Sequence, residues 1–508
     1  MGMNREMIAS LTFISFLLIG LWVRIRPLRA NPALGVDHWY WLLCAEDVKR
    51  RRKLPPRLSH FMLEIEEQWY PPLFSGLLAL LPMRWLKDYG GRISQSIDIL
   101  HGFVIFLAVL WFSNSLVIAF LSGLSYLIAW FPLSYNTQLQ PRGSANLLLT
   151  LAMGGLWFYI DTGSFNMLVG VLVISVILLF LHKMTVQMWV IYLLGFGVWA
   201  WDLKILLLIP TSVLFALIIS KGFYIKVLKA HWDIVSFWHE NIKYLGSHQY
   251  YESSLYRKEG FTSTAIHQWR WRHQIRKLLS LFKYNPFIML LPILLAYHTI
   301  FQPQGKLENF LWLWLGLTYL WTLLTTFVPY FLALGAGHYY LYQTFFPLFF
   351  LTGLSIRYMT VSLQGWLFAI WGIGLIYSFV RWKRYCRSII PQNTATARND
   401  LKEVLDYLKA LPKDGVFCIP FLLAEETAFW TRKKVFWGGH SYGFHALLKP
   451  YFPIMREDVR ETLKSKPLNY LLFWRSYLKS LKDIGPEEKK DIRFLFGKGE
   501  YELYEVIK

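Results

Sequence analysis

From its N-terminus to about residue 381 the chain strings together apolar runs long enough to cross the ~30 Å of hydrocarbon in a bilayer. They include Met7–Val23, Leu116–Phe131, Met167–Leu181, Ile205–Ile219, Phe287–Phe301 and Trp366–Val380. Helices in a large soluble core carry a polar stripe; these runs are apolar on every side. That pattern excludes a soluble fold and predicts a polytopic α-helical membrane protein. The 24 Trp residues among 508 agree with it, since Trp anchors proteins at bilayer interfaces. No small-residue cleavage site follows the first run, so it reads as a retained anchor rather than a signal peptide.

A formal net charge of +21 makes the exposed parts strongly basic. An anionic partner fits: a phospholipid headgroup, a lipid-linked phosphate or nucleic acid. Nucleic acid is set aside because the basic residues lie in loops between spans and no binding motif occurs. Cys44, Cys386 and Cys418 are odd in number and far apart, which indicates neither a zinc site nor a disulfide scaffold.

The domain division follows the hydropathy. Residues 1–381 form the transmembrane part, with a first external loop at 26–95 and a basic, aromatic external loop at 221–283. That second loop carries His231, Trp232, Trp238, His239, Tyr250, Tyr251, Trp269 and Trp271, a composition suited to lipid phosphates and sugar rings or to simple interfacial anchoring. Residues 382–508 read as a small soluble α/β domain. There Asp400–Leu411 has helical periodicity, and Val416–Ile419, Asn469–Trp474 and Tyr501–Ile507 are strand candidates. The turn Trp437-Gly438-Gly439-His440 is open to packing or acceptor binding.

The first polar interruption runs Gly35-Val36-Asp37-His38-Trp39-Tyr40-Trp41, passes a basic helix ending at Lys53, then Glu64, Glu66 and Glu67, and reaches Trp69-Tyr70-Pro71-Pro72-Leu73. A carboxylate among aromatic residues at an interface is costly to desolvate and points to function. Asp also favours helix N-caps, and a helix starts here, so both readings of Asp37 stand.

This order of features resembles the GT-C superfamily of polyprenyl-phosphate-sugar-dependent glycosyltransferases. Its members include the protein mannosyltransferases, the lipid A aminoarabinose transferase and the catalytic subunit of oligosaccharyltransferase. Phe131-Pro132-Leu133-Ser134 with Gln140-Pro141-Arg142-Gly143 resembles the family's second external loop. His182-Lys183-Met184-Thr185 is similar to a short polar link of bacterial members, and Gly337-His338-Tyr339-Tyr340 to a late loop. The resemblance implies that Asp37 is the catalytic carboxylate, a general base for sugar transfer to an acceptor hydroxyl or other nucleophile. The donor it implies is a polyprenyl-phosphate sugar of undecaprenyl or dolichyl type. The acceptor is a glycan, lipid or protein, and membrane lipids surround the chain.

Cations must hold the departing phosphate. Arg142, Lys183 and His338 are the candidates, against the plain alternatives of snorkelling for the first two and a loop-carbonyl hydrogen bond for the third. His38, Trp39, Tyr70 and Glu67 are candidate substrate contacts. No obligatory cofactor is expected; Glu64, Glu66 and Glu67 with Asp37 could supply oxygen ligands for Mg²⁺ or Mn²⁺, but Glu64 and Glu67, spaced i, i+3, also read as a solvated helix face.

Treating Pro71–Leu86 as interfacial leaves about eleven spans, near 7–25, 96–112, 116–134, 146–161, 166–181, 186–200, 203–220, 284–301, 309–327, 340–356 and 364–381. With the N-terminus inside the plasma (inner) membrane, Asp37, Arg142, Lys183, His338 and the C-terminal domain then share the external, periplasmic side. A transporter or flippase is the alternative, as is a non-enzymatic assembly subunit. A transporter would show an internal repeat and charges at mid-membrane depth, and neither is evident in the sequence.

Overall fold

The computed structural model describes residues 5–28, 35–242, 271–301, 305–389, 392–438, 442–452, 457, 459–475 and 491–508. Tyr250, Tyr251, Trp269, Gly439 and His440, singled out above, lie outside the described residues.

Helix α1 (Arg5–Ile25) leads to the amphipathic α2 (Val36–Arg51), the short α3 (Leu73–Ala79) and the long α4 (Met83–Ser113). Next come α5 (Leu116–Ile128), α6 (Trp130–Tyr135), α7 (Arg142–Thr162), α8 (Phe165–Leu179), α9 (Lys183–Trp199) and α10 (Leu203–Ile219). Two helices, α11 (Tyr224–Glu240) and α12 (Trp271–Tyr284), fall within the second loop. The remaining membrane helices are α13 (Leu291–Phe301), α14 (Lys306–Phe327), the single turn α15 (Pro329–Leu332), α16 (Phe345–Ser355) and α17 (Val361–Ile389).

Each of the eleven expected spans falls on helix, but the lengths are uneven. Among the described residues five helices are long and apolar enough to cross a bilayer, or seven if two sharply bent pairs count as one span each. One bent pair is α10 with α11, at 120°. The expected loop helix ends sooner than its sequence suggested: α3 stops at Ala79, and Met83 opens a helix that continues unbroken to Ser113. Outward faces of the spans are apolar, with Leu18, Trp111, Ile218 and Ile376 exposed. In lipid such faces need no polar cover.

The C-terminal part begins with α18 (Gln392–Ala410). Strands β1 (Val416–Ile419), β2 (Tyr470–Trp474), β3 (Ile492–Lys498) and β4 (Tyr501–Val506) form one sheet in the order β1-β2-β4-β3. β1 runs parallel to β2, and the other pairs are antiparallel. Three strands match the sequence expectation. β3 was not anticipated, although Gly499 at φ +55 marks the tight turn joining it to β4.

The first loop is stitched to this sheet. Val435 donates to His60 O at 2.7 Å, Met62 donates to Val435 O at 2.9 Å, and Phe436 donates to Val416 O at 2.8 Å. Arg432 adds a two-pronged pair to Glu46, at 2.5 and 2.9 Å. The loop carrying Asp37 and the C-terminal sheet are therefore held in register by backbone bonds.

Inside the helix bundle lies something the sequence reading had missed, a buried ion pair. Arg24 of α1 donates to Asp98 of α4 at 2.8 Å, and neither side chain is exposed. Arg24 also donates to Tyr126 O at 2.7 Å. Asp98 further accepts from the Tyr126 hydroxyl at 3.0 Å and from that of Tyr342. The two tyrosine hydroxyl oxygens lie 2.7 Å apart, and Asn136 donates to Tyr342 at 2.9 Å. Every charge in the cluster is paired, as a structure-specifying network requires.

Candidate active site

A cavity of about 1190 Å³ opens where α2, the α6–α7 loop, the start of α9, the end of α17 and the C-terminal part meet. Its wall contains Asp37, Tyr70, Arg142 and Lys183, so four of the sequence candidates come together.

Local folding explains how each gets there. Asp37 is the second residue of α2, and Gly35 occupies the N-cap, so Asp37 is not the cap that sequence alone left open. Gly35 is required by its backbone conformation, and a side chain there would also displace the Gln138 amide. Its φ is +82, and a Cβ there would stand 1.9 Å from the Gln138 Oε1 of the second loop. That close approach draws the Asp37 and Arg142 loops together. Gly35→Ala is expected to cost about 1–3 kcal/mol through strain and displacement of Gln138, read as a lower unfolding temperature in detergent.

Arg142 and Lys183 are each the first residue of a long helix, α7 and α9. The positive ends of two helix dipoles therefore coincide with two cationic side chains, an arrangement that favours an anion. The Arg142 guanidinium lies 5.0 Å from the Tyr135 ring centroid and 4.7 Å from that of Tyr339. Its Nε and Nη1 are buried without a hydrogen-bond partner among the described residues. Leaving them so is costly, and an incoming anionic oxygen would satisfy them. Lys183 sits over the Tyr442 ring at 5.0 Å, before the apolar stretch of α9. Burial, then the Arg142 charge, pull its pKa down to about 8 against the opposing pull of Asp37. Burial and then Asp37 raise the Tyr70 hydroxyl, with Arg142 opposing. Asp37, Arg142, Lys183 and Tyr70 thus share one electrostatic neighbourhood.

The C-terminal part contributes Tyr442 and His445 to the wall. Asp233 of α11 fixes His445, accepting from its Nδ1 at 3.0 Å and from its backbone N–H at 2.9 Å. Burial lowers the His445 pKa despite that carboxylate.

No protein-family model and no curated protein matches the sequence. Solved structures do. ArnT from Cupriavidus metallidurans bound to undecaprenyl phosphate superposes with a TM-score of 0.56 at 10% identity, over 97% of this chain and 97% of its own. The apo oligosaccharyltransferase of Archaeoglobus fulgidus gives 0.58 at 9% identity, over 98% of this chain and 75% of its own. The archaeal oligosaccharyltransferase AglB from Archaeoglobus fulgidus, in complex with an inhibitory peptide and a dolichol-phosphate, gives 0.56 at 9% identity, over 98% and 74%. Both enzymes are GT-C glycosyltransferases. The chain has the GT-C fold. At such identities the likeness is one of architecture, and residue roles rest on this chain's own geometry.

Within that GT-C frame, several sequence candidates stand away from the cavity wall. His38 is fully buried against Gly90, where a Cβ would lie 2.6 Å from its Cε1. Trp39 packs on Phe429 and Trp430, with ring centroids 5.3 and 5.9 Å away. Helical geometry is the reason: at 100° per residue, the wall face of α2 passes from Asp37 to Trp41, which does line the cavity, and skips His38 and Trp39. Tyr70 is on the wall. His338 is not: it is fully buried behind the wall, stacked on Tyr284 at 4.5 Å and 3.2 Å from the Tyr135 hydroxyl.

The metal candidates are engaged elsewhere. Glu64 accepts from the Gly438 N–H at 3.1 Å, and Glu67 pairs with Lys226 at 2.6 Å and Arg57 at 3.8 Å. Neither lines the cavity, and among the described residues no cluster of three His, Cys, Asp or Glu could hold a metal. The donor set does not fit a Mg²⁺ or Mn²⁺ site built on Asp37, Glu64 and Glu67.

Sequence reasoning missed Trp41 and one face of α17. Arg381, Arg384, Tyr385 and Ser388 all line the cavity. Their i, i+3, i+4, i+7 spacing was legible, but the span had been ended at residue 381.

Proposed function

We propose that this chain is a membrane glycosyltransferase that moves a sugar from a polyprenyl-phosphate-linked donor to an acceptor nucleophile. The observation that carries the reading is one carboxylate facing two helix-N-terminal cations across a single cavity. Proteins of the same fold add support: ArnT has been solved bound to undecaprenyl phosphate and AglB in complex with a dolichol-phosphate.

In this scheme Asp37 accepts the proton of the acceptor hydroxyl as its oxygen attacks the anomeric carbon. The bond from that carbon to the phosphate oxygen breaks, and its electron pair stays on the phosphate. Arg142, by a two-pronged contact, and Lys183, as a point charge, hold the accumulating negative charge. Tyr70 and Trp41 flank the reacting centre. His338 supports Tyr135, on which Arg142 rests. The cavity and the C-terminal part, residues 382–508, face the external side of the membrane.

Incubating the purified protein with radiolabelled polyprenyl-phosphate sugars and membrane extract tests this. Label should move to an acceptor; failure of every donor in an undecaprenyl and dolichyl panel would sink the reading. Donor affinity should also depend on pH. Lys183 loses its proton as pH rises through about 8, so binding of undecaprenyl phosphate is expected to weaken there. Lys183→Arg, which stays charged, should abolish that limb.

A further inference from the structure

The cavity carries more positive charge than this reaction uses. Among the described residues its wall has four cations, Arg142, Lys183, Arg381 and Arg384, and one carboxylate, Asp37. Burial holds His182 and His445 neutral. A sugar linked through a single phosphate is a phosphodiester with one negative charge. Together with Asp37 it offsets two of the four cations and leaves the other two uncompensated.

Those two share a structural origin. α17 is apolar across the membrane but continues to Ile389, and its last turns present Arg381, Arg384, Tyr385 and Ser388 on one face toward the cavity. The face is fixed in place: the Tyr385 hydroxyl bonds Thr137 at 2.9 Å and Ser134 O at 3.3 Å. The Arg381 guanidinium lies 4.5 Å from the Trp130 ring centroid, and its Nε is buried without a hydrogen-bond partner among the described residues. Neither arginine pairs with a described carboxylate. Arg381 is half-buried and Arg384 exposed at the cavity mouth; a partly desolvated guanidinium that the protein leaves uncompensated, with a second beside it, calls for an anion from outside.

We propose that the acceptor is anionic, carrying a phosphate or carboxylate that Arg381 and Arg384 bind while Asp37 addresses its nucleophile. This rests on the transferase reading and specifies its acceptor class. Arg142 and Lys183 take the donor phosphate at the N-termini of α7 and α9, and the end of α17 takes the acceptor's charge. A cavity with two anion subsites needs no change of shape to discriminate against neutral acceptors, which would leave both arginines unpaired.

The test uses the full chain in nanodiscs saturated with undecaprenyl phosphate, titrated calorimetrically with inorganic phosphate. Wild type should bind one phosphate in a salt-sensitive manner. Arg381→Gln with Arg384→Gln should weaken that binding by about tenfold or more while undecaprenyl phosphate affinity stays within about twofold. Arg381→Lys with Arg384→Lys should retain the second anion, which separates lost charge from lost folding. Absence of phosphate binding by wild type loaded with undecaprenyl phosphate overturns the proposal. So does a loss of undecaprenyl phosphate binding in the Gln pair as large as in Arg142→Gln, because the α17 arginines would then belong to the donor, as a second phosphate of a diphosphate carrier would require. Failure of wild type to bind undecaprenyl phosphate at all would instead remove the transferase reading.

Discussion

Asp37→Asn is expected to lower the rate of sugar transfer by about 10²–10⁴-fold, the usual worth of a positioned general base, without weakening donor binding. Asn has the same shape and keeps its place in the first turn of α2, so Gly35 and Gln138 need not move. The electrostatics point further. Asp37 is the only carboxylate among the described wall residues, and it opposes the approach of an anionic phosphate. Removing it should leave the donor KM unchanged or lower while kcat collapses, a split that a folding defect would not produce. It should also move the pH limb of donor binding below about 8, because Asp37 is the charge that holds the Lys183 pKa up. Retained transfer with the wild-type kcat would remove Asp37 from the mechanism, and so would an equal fall in kcat and donor affinity.

Much of the architecture could be read from all-round apolar runs, because a span that contacts lipid has no reason to carry a polar stripe. The same property hid the bent and shortened elements. α10 and α11 fold back on each other through Ser220–Phe223, where Lys221 and Gly222 take positive φ, and only Gly222 announces such a turn. The site divided along a similar line. Asp37, Arg142 and Lys183, which the resemblance to the GT-C superfamily singles out, each lie in the first turn of a helix and line one cavity. His38 and Trp39 were chosen for adjacency to Asp37, yet adjacent helical residues point 100° apart. Arg381 and Arg384 fall at and beyond residue 381, where the apolar run ends, so hydropathy alone does not place them on one helix face. It is α17, continuing to Ile389, that carries both onto the wall of the same cavity. Long-range pairings such as Phe61 with Val435 leave no local trace in sequence.

Breaking the buried pair should damage the fold more than any other single change considered. Asp98→Ala strands the Arg24 guanidinium, whose side chain is 0% exposed, with Tyr126 O and a 3.5 Å contact to Gln95 as its remaining bonds. Removing one partner of a buried ion pair costs about 3–5 kcal/mol, and in hydrocarbon no water can replace the lost carboxylate. The variant should therefore unfold at a markedly lower temperature in detergent. Damage should also spread to the cavity, because Tyr342 bonds Asn136, which accepts from Gln140 at 3.2 Å two residues before Arg142. Arg24→Met combined with Asp98→Leu removes both charges and should recover most of the stability, since apolar replacement of a whole buried pair is often neutral or better. That comparison also bears on the transporter alternative. Neither Arg24 nor Asp98 lines the cavity, so a purely structural pair predicts that the apolar double variant keeps sugar transfer. Loss of transfer in a stable double variant would show that the buried charges participate in turnover, as they would in a carrier that moves protons or ions.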